Sequence, residues 1–159
     1  MDFVLDTIEF DERREPEPPA DSAVPDTYGG DVLQALLCRL IWFASLDEPV
    51  ATYSRQPEVA GLRHHGIPYA TCEWFGPVND KQRQRYSRAT MRLERDGYVT
   101  RITEPRRDRI THLRPTLNGL MWAFRASPAT DIDIVVTALR RTEWGRGLAD
   151  DIEITGGDP

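Results

Sequence analysis

The chain has 159 residues, 40% of them hydrophobic, and a formal net charge of −6. That is enough for one compact domain with tails and a modest core. The longest apolar run, at 40–44, is far too short to span a bilayer, and the acidic N-terminus does not read as a secretory signal, so a cytoplasmic protein is expected.

Two cysteines, Cys38 and Cys72, make no disulfide framework and fit a reducing compartment. Cys38 reads as a small buried hydrophobe. A negative chain looks unsuited to nucleic acid, but the charge is segregated. Residues 1–31 carry net −8, 32–78 net −1, 79–125 net +7 and 126–159 net −4. A local basic surface matters more for phosphate binding than the average. Of the 20 bases, 19 are arginine and only Lys81 is lysine; a high-salt cytoplasm or a GC-rich genome selects such an arginine-rich chain with an acidic surface.

In chain order, residues 1–28 combine acids with a Pro-rich stretch, which predicts a disordered arm. Gly29-Gly30 ends it, and Asp31 caps a first core helix over 32–44. Asp47-Glu48-Pro49 breaks that helix. Residues 57–65 form a short helix ended by Gly66, while Ile67-Pro68-Tyr69 and Trp74-Phe75-Gly76-Pro77 read as ordered loop. Asn79 or Asp80 caps a basic helix over 80–96, with Gly97 at its C-terminal end. Residues 98–102 form a strand, 104–108 a turn, and 109–115 a second strand closed by Pro115. Thr116 caps a helix stopped by Ser127-Pro128. A C-terminal helical segment covers 127–149, with one helix over 131–148, and 150–159 is an acidic, loose tail.

The basic helix sorts onto two faces. Gln82, Tyr86, Ala89, Thr90 and Leu93 share the core face. Lys81, Gln84, Arg88 and Arg95 lie opposite, with Arg85 and Arg92 at one edge and Ser87 at the other; Met91 also points outward. Among the bases of 81–95 the only acid is Glu94, whereas ordinary solvated faces mix signs. Arginine reads guanine bidentately, glutamine reads adenine, and both hold phosphate. Arg106, Arg107 and Arg109 recur at the turn that follows. The DNA-contacting set expected is therefore Lys81, Gln84, Arg85, Ser87, Arg88, Arg92, Arg106, Arg107 and Arg109.

The string from Ser87 through Leu93-Glu94-Arg95-Asp96-Gly97-Tyr98-Val99 to Arg101 resembles the recognition-helix-to-wing segment of winged helix-turn-helix regulators of the MarR type. His112-Leu113-Arg114-Pro115-Thr116 through Gly119 is similar to the end of their wing. The resemblance covers 31–125 loosely and 79–120 well. It implies a mostly α fold with a small β-wing, a winged-helix domain over 29–126, and sequence-specific binding of double-stranded DNA in transcriptional regulation. It departs from that pattern in the long stretch 50–78 before the basic helix. The family's dimers use helices at both chain ends; a homodimer here is expected through the C-terminal helix at Ile132, Val136 and Leu139, the alternative being that this helix packs on its own domain.

His64-His65 with Cys72 and Cys38 matches no zinc spacing, so no metal and no cofactor is expected. Asp131-x-Asp133 and Asp150-Asp151 read as solvated acids. No phosphate-cradling loop, nucleophile elbow or dinucleotide fingerprint occurs, so no enzyme is expected. Two alternatives remain on the same fold: a winged-helix protein-interaction module, and a plasmid or viral replication or maintenance protein using the same DNA-binding surface.

Overall fold

Asp26 caps the longest helix among the described residues. In the computed structural model, which describes residues 24–104 and 109–155, one Asp26 carboxylate oxygen accepts from the Gly29 N–H at 2.8 Å. The elements then run α1 (Thr27–Ala44), α2 (Glu48–Tyr53), α3 (Pro57–His64), β1 (Ile67–Pro68), α4 (Thr71–Phe75), α5 (Asp80–Arg95), β2 (Val99–Glu104), β3 (Arg109–Pro115), α6 (Leu117–Ala126), α7 (Ile132–Arg140) and α8 (Arg146–Ile154). The chain is mostly helical with one small antiparallel sheet of order β1-β3-β2.

The centre of the core is α1. Val32, Leu33, Leu36, Leu37, Leu40 and Phe43 recur at helical spacing and are all buried, the pattern that drives one face of a helix inward. Helix α1 starts at Thr27, earlier than the Asp31 cap that the sequence predicts. The reason is close packing. A Cβ on Gly29 would lie 3.3 Å from Leu93 of α5, and one on Gly30 3.0 Å from Trp122 of α6. The two glycines thus let the first turn of α1 sit against both helices. Cys38 is exposed, so the buried position expected for it is corrected: it lies outside the leucine stripe.

Residues 50–78 hold more regular structure than their sequence signals. Strand β1 is two residues long, too short for alternation to appear, and pairs Ile67 with Leu113; Pro68 is tolerated because β1 is an edge strand. Trp74 and Phe75, expected in a loop, belong to α4. Strands β2 and β3 pair from Val99↔Pro115 to Glu104↔Arg109, with a register shift between Ile102 and Thr103. Ile67, Val99 and Leu113 carry the sheet into the core.

The C-terminal region forms two helices where one was expected. The Thr142 side-chain oxygen accepts from the Gly145 N–H at 2.8 Å and turns the chain between α7 and α8. Val136 is 6% exposed and Leu139 fully buried in the core that includes α1. Val136 and Leu139 thus pack on their own domain, the alternative reading of this helix, while Ile132 is half-buried. Helix α8 continues to Ile154 with Ile152 buried, where a loose acidic tail was expected. Burial of Ala149 and Ile152 against the core holds the helix, and on its exposed side Arg140 pairs with Asp150 at 3.0 Å and with Glu153. Among the described residues, no helix is long and apolar enough to cross a membrane.

Candidate nucleic-acid interface

Helix α5 is fixed at both ends. At its start, the Asn79 side chain accepts from the Gln82 N–H at 2.8 Å, and the Gln82 side chain accepts from the Asn79 N–H at 3.1 Å, a reciprocal capping box. Gln82 is therefore exposed in the cap, and its expected place on the core face is corrected. Tyr86, Ala89, Thr90 and Leu93 do face the core. At the other end Gly97 takes φ +86°, and the chain turns into β2. Glu94 ties helix to strand: its carboxylate accepts from the Arg101 guanidinium at 2.8 Å and the Arg101 backbone N–H at 3.1 Å. Burial pushes the Glu94 carboxyl up, but those two bonds and the Arg101 charge outweigh it, and the net shift is downward. Helix α4 is joined to α5 by Phe75, whose ring stacks on Tyr86 at 4.2 Å between centroids.

The outer face of α5 carries Lys81, Gln84 and Arg88, all exposed. No carboxylate among the described residues pairs with Lys81 or Arg88. Met91 lies among them, 52% exposed, and with Arg88, Arg92 and Arg95 lines a shallow hollow of about 340 Å³. The two edge arginines are held differently. Arg85 donates to the Tyr28 hydroxyl at 3.1 Å and lies 5.8 Å from the centre of its ring. Arg92 pairs at 2.5 Å with the second carboxylate oxygen of Asp26. One aspartate thus caps α1 with one oxygen and holds α5 with the other. The structure brings Arg85 and Arg92 together with the first turn of α1, which sequence spacing did not indicate.

Ser87 is half-buried on the opposite edge, in a concavity of about 850 Å³ between α4, α5 and the sheet. Its lining mixes signs, with Glu73 and Asp80 against Arg83 and Arg101; Arg83 pairs with Asp80. Arg83 and Arg101 were not singled out from the sequence, because their neighbours arrive through the fold. Tyr69 also lines this space. Burial, with a smaller contribution from Tyr86, pushes its phenol up to about 12, and its hydroxyl is buried with no hydrogen-bond partner among the described residues. Arg109 opens β3 opposite Glu104. Arg106 and Arg107 lie outside the described residues.

The histidines serve the fold. His64 contacts Glu143 at 2.7 Å, linking α3 to the segment before α8. His112 packs 5.3 Å from His65; its burial, then the nearby His65 and Arg114, lower its pKa. What α5 offers chemically is a convex row of long hydrogen-bond donors with an amide among them, groups that can meet anionic oxygens and base edges. Comparison with protein-family models, with curated proteins and with solved structures returns no match to this chain.

Proposed function

We propose that this protein binds double-stranded DNA as a winged helix-turn-helix module, with α4 and α5 as the helix-turn-helix pair, α5 as the reading helix and the β2–β3 hairpin as the wing. One observation carries the reading: Lys81, Gln84 and Arg88 share an exposed face of a capped helix and have no carboxylate partner among the described residues. Sixteen residues make α5 ~24 Å long, and the major groove, ~12 Å wide, admits one helix. The order of elements supports the reading too, since the hairpin follows α5 after a single turn and is bonded to it through Glu94 and Arg101.

The roles divide by environment. Lys81, Gln84 and Arg88 meet base edges and phosphates. Arg85 and Arg92 brace the helix against Tyr28 and Asp26 and offer their remaining donors at the groove edge. Arg106, Arg107 and Arg109 hold phosphates from the wing. Regulation of transcription is the use that the resemblance to MarR-type regulators favours for such a surface. Backbone amide shifts, followed by NMR while a random-sequence duplex is added at low salt, test the assignment. The largest changes are expected in 81–95 and in the β2–β3 turn. Shifts confined to α7 and α8, or none, would remove α5 from the interface.

A further inference from the structure

The most acidic segment of the chain enters the fold beside its most basic helix. Residues 1–31 carry net −8, with Glu12, Glu15, Glu17 and Asp21 shortly before the first described residue. Asp26 already pairs with Arg92 at 2.5 Å, and Tyr28 already accepts from Arg85. From Tyr28 to Asp26 the chain, followed backwards, passes from Arg85 to Arg92, two turns further along α5. Arg92, where Asp26 is held, also lines the hollow shared by Arg88, Met91 and Arg95.

We propose that the acidic arm, residues 1–23, docks through its carboxylates on this exposed face of α5 and competes there with the phosphates of DNA. The docking rests on charge and position; the competition also rests on the DNA-binding reading above. Distance permits it. Lys81 and Arg92 are eleven residues apart on the helix, ~16 Å, whereas the nine residues from Glu17 to Asp26 reach up to ~30 Å. A segment tethered this closely has a local concentration on the order of millimolar. DNA then binds only the fraction of molecules whose face is open, and its apparent affinity falls by that fraction. The chain's low overall charge is thereby compatible with a basic reading helix, because the arm screens the helix against weak, indiscriminate anions.

The sole lysine makes the docking directly measurable. Zero-length carbodiimide coupling joins carboxylates to amines; Lys81 is the one lysine side chain available, and Arg88→Lys adds an amine at the centre of the patch. In the full-length protein at low salt, peptide mapping of the monomeric product is expected to find bonds from these positions to Glu12, Glu15, Glu17 or Asp21. They should vanish at ~0.5 M salt, where the Debye length is only a few ångströms. Coupling only to acids outside the arm, such as Glu73 or Asp80, overturns the docking.

The competition has its own test. E15Q/E17Q/D21N is compared with D133N/D151N/D158N, which changes net charge equally but away from the arm. At low salt the first is expected to raise affinity for a random-sequence duplex several-fold and the second by less than ~2-fold. Equal effects overturn the competition. If no variant binds duplex, the DNA reading fails, and the coupling experiment still decides the docking by itself.

Discussion

Arg88 and Arg92 stand about one turn apart on α5 in opposite circumstances. Arg88 has no carboxylate partner among the described residues, whereas Arg92 is held by Asp26. Arg88→Ala is expected to leave the melting temperature unchanged and to weaken specific DNA binding by ~1–3 kcal/mol, with relaxed preference at one base pair. Arg92→Ala removes a pair whose side chains are 43% and 49% exposed, so it should cost stability by less than ~1 kcal/mol. Denaturant titration and duplex binding measured on both variants check the division; equal DNA losses without any stability difference would contradict it. His112 gives a pH prediction. Its folded pKa lies below the ordinary value, so as pH falls below ~6.5 the unfolded chain takes a proton that the folded chain refuses. Stability from this group is full above that value and is lost on acidification. Between pH 7.5 and 5.5, the wild type should lose more melting temperature than His112→Gln; equal losses would contradict the assignment. At this scale the sequence was legible where a residue's surroundings come from its own helix, as for Lys81, Gln84, Arg88 and Met91. It was not legible for Arg85, Arg92 and Cys38, because their neighbours are set by how α1 meets the rest of the fold.

The elements are joined by a few specific contacts, and two of these are exposed to test. Phe75 stacks on Tyr86 and is the aromatic link between α4 and α5. Phe75→Ala should cost ~2 kcal/mol, below the range for a fully buried phenylalanine because this ring is half-buried. It should also weaken duplex binding by misplacing α5, which denaturation and binding measured on one sample would separate. Gly119 lies where α6 crosses the end of the hairpin. A Cβ there would sit 2.2 Å from the Tyr98 carbonyl oxygen, a backbone atom that cannot step aside, so Gly119→Ala is expected to lose ~3 kcal/mol or more in urea denaturation. Retained stability would mean that the α6–hairpin contact is looser than described. Long periodic elements, α1, α5 and the β2–β3 pair, were readable because each repeats its apolar signal over several turns or alternations. Strand β1 and helix α4 were not, since two and five residues carry no period, and their structure comes from pairing with β3 and packing on Tyr86. The break between α7 and α8 escaped for a related reason: Thr142 caps it through a hydrogen bond, without a proline to mark it.

Over the whole molecule, the governing feature is the separation of charge, with net +7 over 79–125 between acidic ends. Binding through such a surface releases counterions, so its affinity falls steeply with salt. The charge blocks could be read directly from the sequence. The position of Asp26 beside α5 could not, because it depends on Asp26 reaching Arg92 across 66 residues of chain. If the wing contributes, Arg106→Ala/Arg107→Ala should weaken binding about equally on all sequences and lower the salt slope by up to ~2; an unchanged slope would remove those arginines from the contact set. The central claim is tested most directly by fluorescence anisotropy of a random-sequence duplex across a salt series, comparing wild type with a Lys81→Ala/Gln84→Ala/Arg88→Ala variant whose fold is checked by circular dichroism. The account predicts steeply salt-dependent binding by the wild type that the variant loses. Absence of binding by folded wild-type protein at the lowest salt, or undiminished binding by the variant, would contradict it.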